Sequence, residues 1–243
     1  MINKIIFKKI KFSNLDYKKF NKFITKKGYF VFPSGPALAS IERYPDYYKS
    51  LKKADLVFFD SGFFVLLLKF FKNISVSKFS GYRFLSLFFL YLKNNKKKII
   101  FCIDPNLNFS KSNKLYLKNL GVKKVYNFLA PKYNPKNLSD KRLLKSIKKI
   151  KPDFIITNIG GGTQEVLGYY LKRKLTFKTT ILCTGGAISF FTGDQAPINN
   201  FIDKLFLGWF VRLIFDPFTF FTRYISGLKL ISMVIFNKVQ ILK

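Results

Sequence analysis

Residues 153–165, DFIITNIGGGTQE, decide how this chain folds: an apolar strand breaks at three glycines and restarts as a helix carrying a Gln-Glu pair. Phe154, Ile155 and Ile156 form a continuous run of aromatic and β-branched residues, the pattern of a strand covered on both faces. Gly160, Gly161 and Gly162 supply positive φ angles and close backbone approach, which suit a strand-to-helix turn lying against a ligand. A glycine-rich turn also serves as a plain connection, so its meaning depends on the neighbouring segments.

Working outward, strand and helix patterns alternate. Ile5 to Phe12 mixes apolar and basic residues and reads as an edge strand, with Asn14 as the cap of a helix over 15–26. YFVF ends at Pro33-Ser34-Gly35-Pro36 and is followed by one helix over 37–53; ADLVFF runs into Asp60-Ser61-Gly62. Helices over 63–71 and 82–92 precede IIFCI, which ends at Asp104-Pro105. A helix over 110–120, the strand VKKVYNF and a helix over 138–150 lead to the central stretch; a helix over 164–174 and TTILCT, read as the last strand, follow it. Six strands separated by helices predict an α/β protein with a doubly wound, mostly parallel Rossmann-like sheet. Such sheets bind ligands beyond the carboxyl ends of their strands, so the turns at Ser34, Asp60, Asp104, Gly160 to Glu165 and Gly185 are expected to converge. From Phe190 the chain becomes aromatic and apolar, interrupted by Arg212, Asp216, Pro217 and Arg223. The expected division is an α/β core over 1–195 and an amphipathic helical appendage over 196–243 that lies on a membrane surface with Trp209 at the headgroup level, the alternative being a core helix packed on the sheet.

Composition narrows the chemistry. The 243 residues contain no histidine, which removes the Ser-His and Cys-His nucleophile systems and leaves proton transfer to 12 carboxylates, tyrosine or lysine. Cys102 and Cys183 lie in apolar runs and read as small buried hydrophobes; without histidine or a Cys-x-x-Cys pair no zinc site is expected. The N-terminal MINKIIFKKIKF lacks the apolar block and small-residue cleavage site of a signal peptide. A formal charge of +32 suits an anionic membrane or nucleic acid. Only six of the 44 basic residues are arginines, and the abundance of Lys, Asn, Ile and Phe matches an AT-rich coding bias that raises charge without selecting a partner. Aromatics cluster in apolar helices rather than interleaving with arginine, which argues against a nucleic-acid partner. No Gly-x-Gly-x-x-Gly follows the first strand, against a dinucleotide oxidoreductase. A non-catalytic basic membrane or nucleic-acid binding protein is the competing class.

GGGTQE, with the block CTGGAISFFTGDQAPINNFIDKLFLGWFVRLIFDPFTFFTRY, resembles the signature of the WecG/TagA/CpsF family of bacterial glycosyltransferases, and ADLVFFDSG resembles that family's Ala-Asp to Asp-Gly block. The resemblance extends from about Gly28 to Tyr224. It implies metal-independent transfer, without a cofactor, of an N-acetylmannosamine-type sugar from a UDP-sugar to a polyprenyl-diphosphate-linked acceptor at the inner membrane face. It makes Asp60 the catalytic base, agreeing with its place at a strand end in a chain without histidine, although an aspartate there also suits a helix cap. Gln164 would position the nucleotide-sugar, the Gly160, Gly161 and Gly162 amides would face the diphosphate, and Glu165, Gly185 and Gly186 would belong to the substrate-binding set. Arg212 and Arg223 would neutralise the leaving group or lipid diphosphate. An anionic membrane and a second copy of the chain are the other expected partners. This chain has Phe32-Pro33-Ser34 where the family has Thr-x-Asn, moving a polar contact to Ser34. It has Lys78 at a common arginine position, and Gly162-Thr163, Ser189 and Gly208 where Pro-Lys, Asp and Glu are usual.

Overall fold

The computed structural model describes residues 3–242. The strands are β1 (Asn3–Phe7), β2 (Ile10–Asn14), β3 (Gly28–Val31), β4 (Leu56–Val57), β5 (Ile99–Asp104), β6 (Lys124–Leu129), β7 (Phe154–Thr157), β8 (Thr180–Cys183) and β9 (Val239–Leu242). The helices are α1 (Phe20–Ile24), α2 (Gly35–Ala39), α3 (Pro45–Lys52), α4 (Gly62–Lys72), α5 (Gly81–Asn94), α6 (Leu107–Asn119), α7 (Lys141–Ile150), α8 (Thr163–Lys174), α9 (Ser189–Thr192), α10 (Asn200–Lys204), α11 (Gly208–Phe215), α12 (Pro217–Gly227) and α13 (Lys229–Phe236). One sheet runs β6-β5-β7-β8-β3-β4-β2-β1-β9, parallel except where β1 pairs antiparallel with β2 and β9. The α/β, doubly wound Rossmann-like architecture expected from the sequence is present.

Strand alternation divides the core between two faces. Tyr29, Val31, Phe101, Ile103 and Ile155 point toward α2, α3, α4, α7 and α8. Phe30, Phe32, Ile100, Cys102, Phe154 and Ile156 point toward α1, α5 and α6. Cys102 and Cys183 are free and fully buried. The chain leaves β5 toward β6 on one side and β7 toward β8 on the other, so the winding reverses between β5 and β7, where a doubly wound sheet opens its binding crevice.

Several local expectations are corrected. The single edge strand over 5–12 is a hairpin: Lys8 (φ 48°) and Lys9 (φ 59°) form a two-residue left-handed turn. The buried positions change phase across it, from Ile5 and Phe7 to Ile10 and Phe12, as a reversal requires. Asn14 ends β2, its side chain accepting the Ser77 N–H at 2.9 Å, and Asp16 caps the following turn by accepting the Lys18 N–H at 2.9 Å. The helix over 37–53 is two helices, because Pro45 begins a new one and cannot continue the old. TTILCT is not the last strand: β9 pairs with β1, and with the second hairpin strand this gives nine strands among the described residues where an edge strand and six others were expected.

The segment after α9 returns to the core. Pro217–Phe236 is long and apolar enough to cross a membrane by length and composition alone. Its second half, however, buries Leu230, Met233 and Val234 with the residues of α2 and α4. In its first half Phe218 is 92% exposed, and Phe221 and Ile225 are exposed too.

Helix α8 lies so close to the sheet that a Cβ on Gly168 would stand 2.5 Å from Tyr29 Cε2 and 2.6 Å from Cys183 Sγ, nearer than side chains pack. Gly168→Ala should therefore destabilise the fold by about 1–3 kcal/mol through overpacking, despite alanine's better helix propensity, as urea unfolding would measure.

Candidate functional site

The carboxyl ends of β3, β4, β5, β7 and β8 and the helices α11 and α12 enclose a cleft of about 500 Å³. It is lined by Ser34, Asp60, Lys78, Gly160, Gly161, Gln164, Glu165, Gly185, Gly186, Arg212 and Arg223, which brings together eleven of the twelve site residues expected from the sequence. Gly162 does not line it; that residue (φ 89°) turns the chain into α8 and gives its N–H to the Glu165 carboxylate at 2.6 Å. Asp104 is wholly buried behind the cleft, its backbone ending β5. A second hollow of about 460 Å³ lies by Tyr17, Leu87, Leu90 and Tyr91, and no carboxylate lines it.

Asp60 follows the two-residue strand β4. The role of helix cap falls to Ser61, whose hydroxyl accepts the Phe64 N–H at 3.2 Å, so Asp60 is left for other work. One oxygen of Asp60 accepts the Gly81 N–H at 2.7 Å. Burial pushes the carboxyl above its ordinary range, opposed by that hydrogen bond and by the charges of Arg212 and Lys78. Raised proton affinity of this kind is what a general base needs.

Gln164 faces inward. Its Oε1 accepts the Gly185 N–H at 2.7 Å and the Thr157 hydroxyl at 3.2 Å, and its Nε2 donates to Glu165 at 3.1 Å. It therefore ties the turn after β8 to the start of α8. Glu165, 1% exposed, is pushed up to about 7, chiefly by burial and also by the Asp60 charge, against the hydrogen bonds from Gly162 and Gln164. A carboxyl raised above its unfolded value of about 4.3 contributes stability below that pH, and loses it as pH rises through 7. Glu165→Gln should flatten the fall in unfolding free energy between pH 5 and 8, removing on the order of 3 kcal/mol of pH dependence. Urea titrations of both proteins across that range test this.

The opposite wall is cationic. Lys78 gives its ammonium to the Asp203 carboxylate and backbone oxygen, each at 2.7 Å, and lies 5.1 Å from the Phe206 ring centroid. The Arg212 guanidinium sits between aromatic faces, 4.7 Å from Phe190 and 5.9 Å from Phe220, and Arg223 lies 5.6 Å from Phe220.

Behind the crevice, Asp104 accepts from three amide groups, those of Asn113, Asn127 and Asn158, each at 2.7 Å. The cluster joins β5, β6, β7 and α6 and holds Asn158, which lines the cleft immediately before the glycine turn. Sequence reasoning placed Asp104 at the sheet edge but missed the three asparagines, which no short motif connects. It also missed Tyr82, Thr184, Asp203, Phe206 and Tyr224 in the cleft wall. Phe206, at φ 64°, carries no local sequence signal for the left-handed region it occupies, and its ring packs on Gly62.

No curated protein sequence matches this chain. The model of the glycosyl transferase WecG/TagA/CpsF family matches residues 5–242. A cleft with two raised carboxyls, Asp60 and Glu165, facing a cationic wall accords with that match, and with nearly its whole length covered the chain belongs to the glycosyl transferase WecG/TagA/CpsF family.

Proposed function

We propose that this glycosyltransferase moves an N-acetylhexosamine-type sugar, ManNAc-like, from a UDP-sugar to a polyprenyl-diphosphate-linked acceptor in cell-surface polysaccharide synthesis, without a metal ion. The observation that carries the reading is the placement of Asp60 in one cleft with Lys78, Arg212 and Arg223. A sugar donor needs a base for the incoming hydroxyl and positive charge for the departing diphosphate.

In this reading the acceptor hydroxyl gives its proton to the free oxygen of Asp60 as its own oxygen bonds the anomeric carbon. The bond from that carbon to the UDP oxygen breaks, and the electron pair leaves with UDP. Arg212 and Arg223 hold the charge that develops there. A single displacement of this kind inverts the anomeric centre. Gln164 acts through the turns it ties together, keeping the Gly160-Gly161 backbone and the Gly185-Gly186 backbone in fixed relation across the donor.

The exposed apolar side chains support work at a lipid surface. Trp209, Phe210, Ile214, Phe215, Phe218 and Phe221 are exposed on α11 and α12, the helices that also line the cleft. With a net charge of +32, such a face suits the cytoplasmic leaflet of a membrane, where a polyprenyl acceptor would present its diphosphate.

The experiment is a donor panel. Full-length protein on anionic vesicles holding a polyprenyl-diphosphate-linked sugar is given UDP-N-acetylhexosamines, UDP-hexoses and GDP-sugars in EDTA. Release of UDP from an N-acetylhexosamine donor, dependent on the acceptor, is expected. Release only on adding a divalent cation would remove the metal-independent mechanism, and no release with any donor would remove the substrate assignment.

A further inference from the structure

We propose that Tyr224 is a further binding residue: its hydroxyl and the Nε–H of Arg212, with Arg223, form a donor set for one phosphate group of the diphosphate substrate. The inference rests on the transferase reading above and names a group within its site. Two buried polar atoms motivate it. Among the described residues Arg212 Nε and Tyr224 Oη are shielded from solvent and have no hydrogen-bond partner, although the two side chains are neighbours and both residues line the cleft. A buried N–H or O–H left unmade is costly, and native structures retain few unless something binds there.

The surroundings hold these atoms in place. Helices α11 and α12 pack against each other. The Tyr224 ring stacks on Phe220 at 5.8 Å and meets Trp209 edge-on at 6.1 Å. The Arg212 guanidinium is fixed between Phe190 and Phe220. These rings keep water from the two donors, which strengthens any charge-assisted hydrogen bond made there.

The missing partner is an oxyanion. Among the described residues neither Arg212 nor Arg223 has a carboxylate within ion-pairing distance, whereas Lys78 has Asp203. Two guanidinium groups offer only donors and the tyrosine hydroxyl can add a third, so a ligand rich in acceptors and negative charge complements them best. A neutral sugar hydroxyl or amide fails the second condition. A phosphate meets both, taking the side-on Arg212 fork on two oxygens and the tyrosine hydroxyl on one of them or the third.

Calorimetric titration of the full-length protein with inorganic pyrophosphate and with UDP, in salt high enough to screen scattered lysines, tests the assignment. Tyr224→Phe should weaken both ligands about tenfold, the loss of one hydrogen bond to a charged group. Its unfolding midpoint in urea should change little, since among the described residues the hydroxyl has no hydrogen-bond partner and only neighbours the Arg212 side chain. Arg212→Lys, which keeps the charge but loses the fork, should weaken both ligands at least as much. Unchanged affinity in Tyr224→Phe would overturn the inference and leave the transferase reading standing. A fall in stability without a change in affinity would do the same. Wild type that binds neither ligand would overturn both.

Discussion

Asp60→Asn should lower the rate of sugar transfer by about a hundred- to ten-thousandfold, the range over which a positioned general base contributes. The substitution is close to isosteric and keeps an oxygen to accept the Gly81 N–H, so stability should change by less than about 1 kcal/mol and donor binding should persist. The wild-type pH profile carries a second signature. Burial raises the Asp60 carboxyl, so the acid limb of kcat/KM should lie above the usual aspartate range, with activity lost as pH falls through it. In Asp60→Asn that limb should vanish from the residual rate. An unchanged rate would mean another group takes the proton. Glu165, raised to about 7 and coupled to Asp60 by charge, would then be the residue to examine.

Asp104→Ala should be the most destabilising substitution near the cleft, costing about 4 kcal/mol in urea unfolding. Three amide groups aim their N–H bonds at this one carboxylate, and the amide oxygens of Asn113, Asn127 and Asn158 already lack partners. Removing the acceptor strands buried donors, each costing about 1–3 kcal/mol before the network relaxes. Against a total stability of roughly 5–15 kcal/mol for a domain, that loss is large. Transfer activity should fall with it even in the folded fraction, because Asn158 fixes the start of the glycine turn on the cleft wall. A loss below about 1 kcal/mol would show that the three asparagines find other acceptors and that the cluster does not hold the crevice together.

The parallel part of the sheet was legible because its strands are short apolar runs ending in Gly, Pro, Asp or Ser, and such runs leave little freedom in period or boundary. The cleft was legible for the same reason. Ser34, Asp60, Gly160 and Gly185 follow strand ends and Gln164 opens the helix after β7, and a doubly wound sheet sends those ends to one side. The N-terminal hairpin was missed because a lysine pair replaces the Asn-Gly that usually marks a two-residue turn, although the switch from Ile5 and Phe7 to Ile10 and Phe12 recorded the reversal. Strand β9 was missed because VQIL, four residues after a long apolar segment, has no partner until β1 reaches it across more than 230 positions of chain. The Asp203 and Phe206 contacts were not readable at all. They depend on where α10 falls in space, and the left-handed φ of Phe206 is imposed by tertiary packing against the preference of its side chain.

The measurement that tests the central claim most directly is mass spectrometry of the lipid acceptor after incubation with wild-type enzyme, a UDP-N-acetylhexosamine and EDTA, with Asp60→Asn alongside. The account predicts an acceptor heavier by one N-acetylhexosamine in the wild-type reaction and almost none with the variant. An unmodified acceptor with wild type, or equal product with both enzymes, would contradict it.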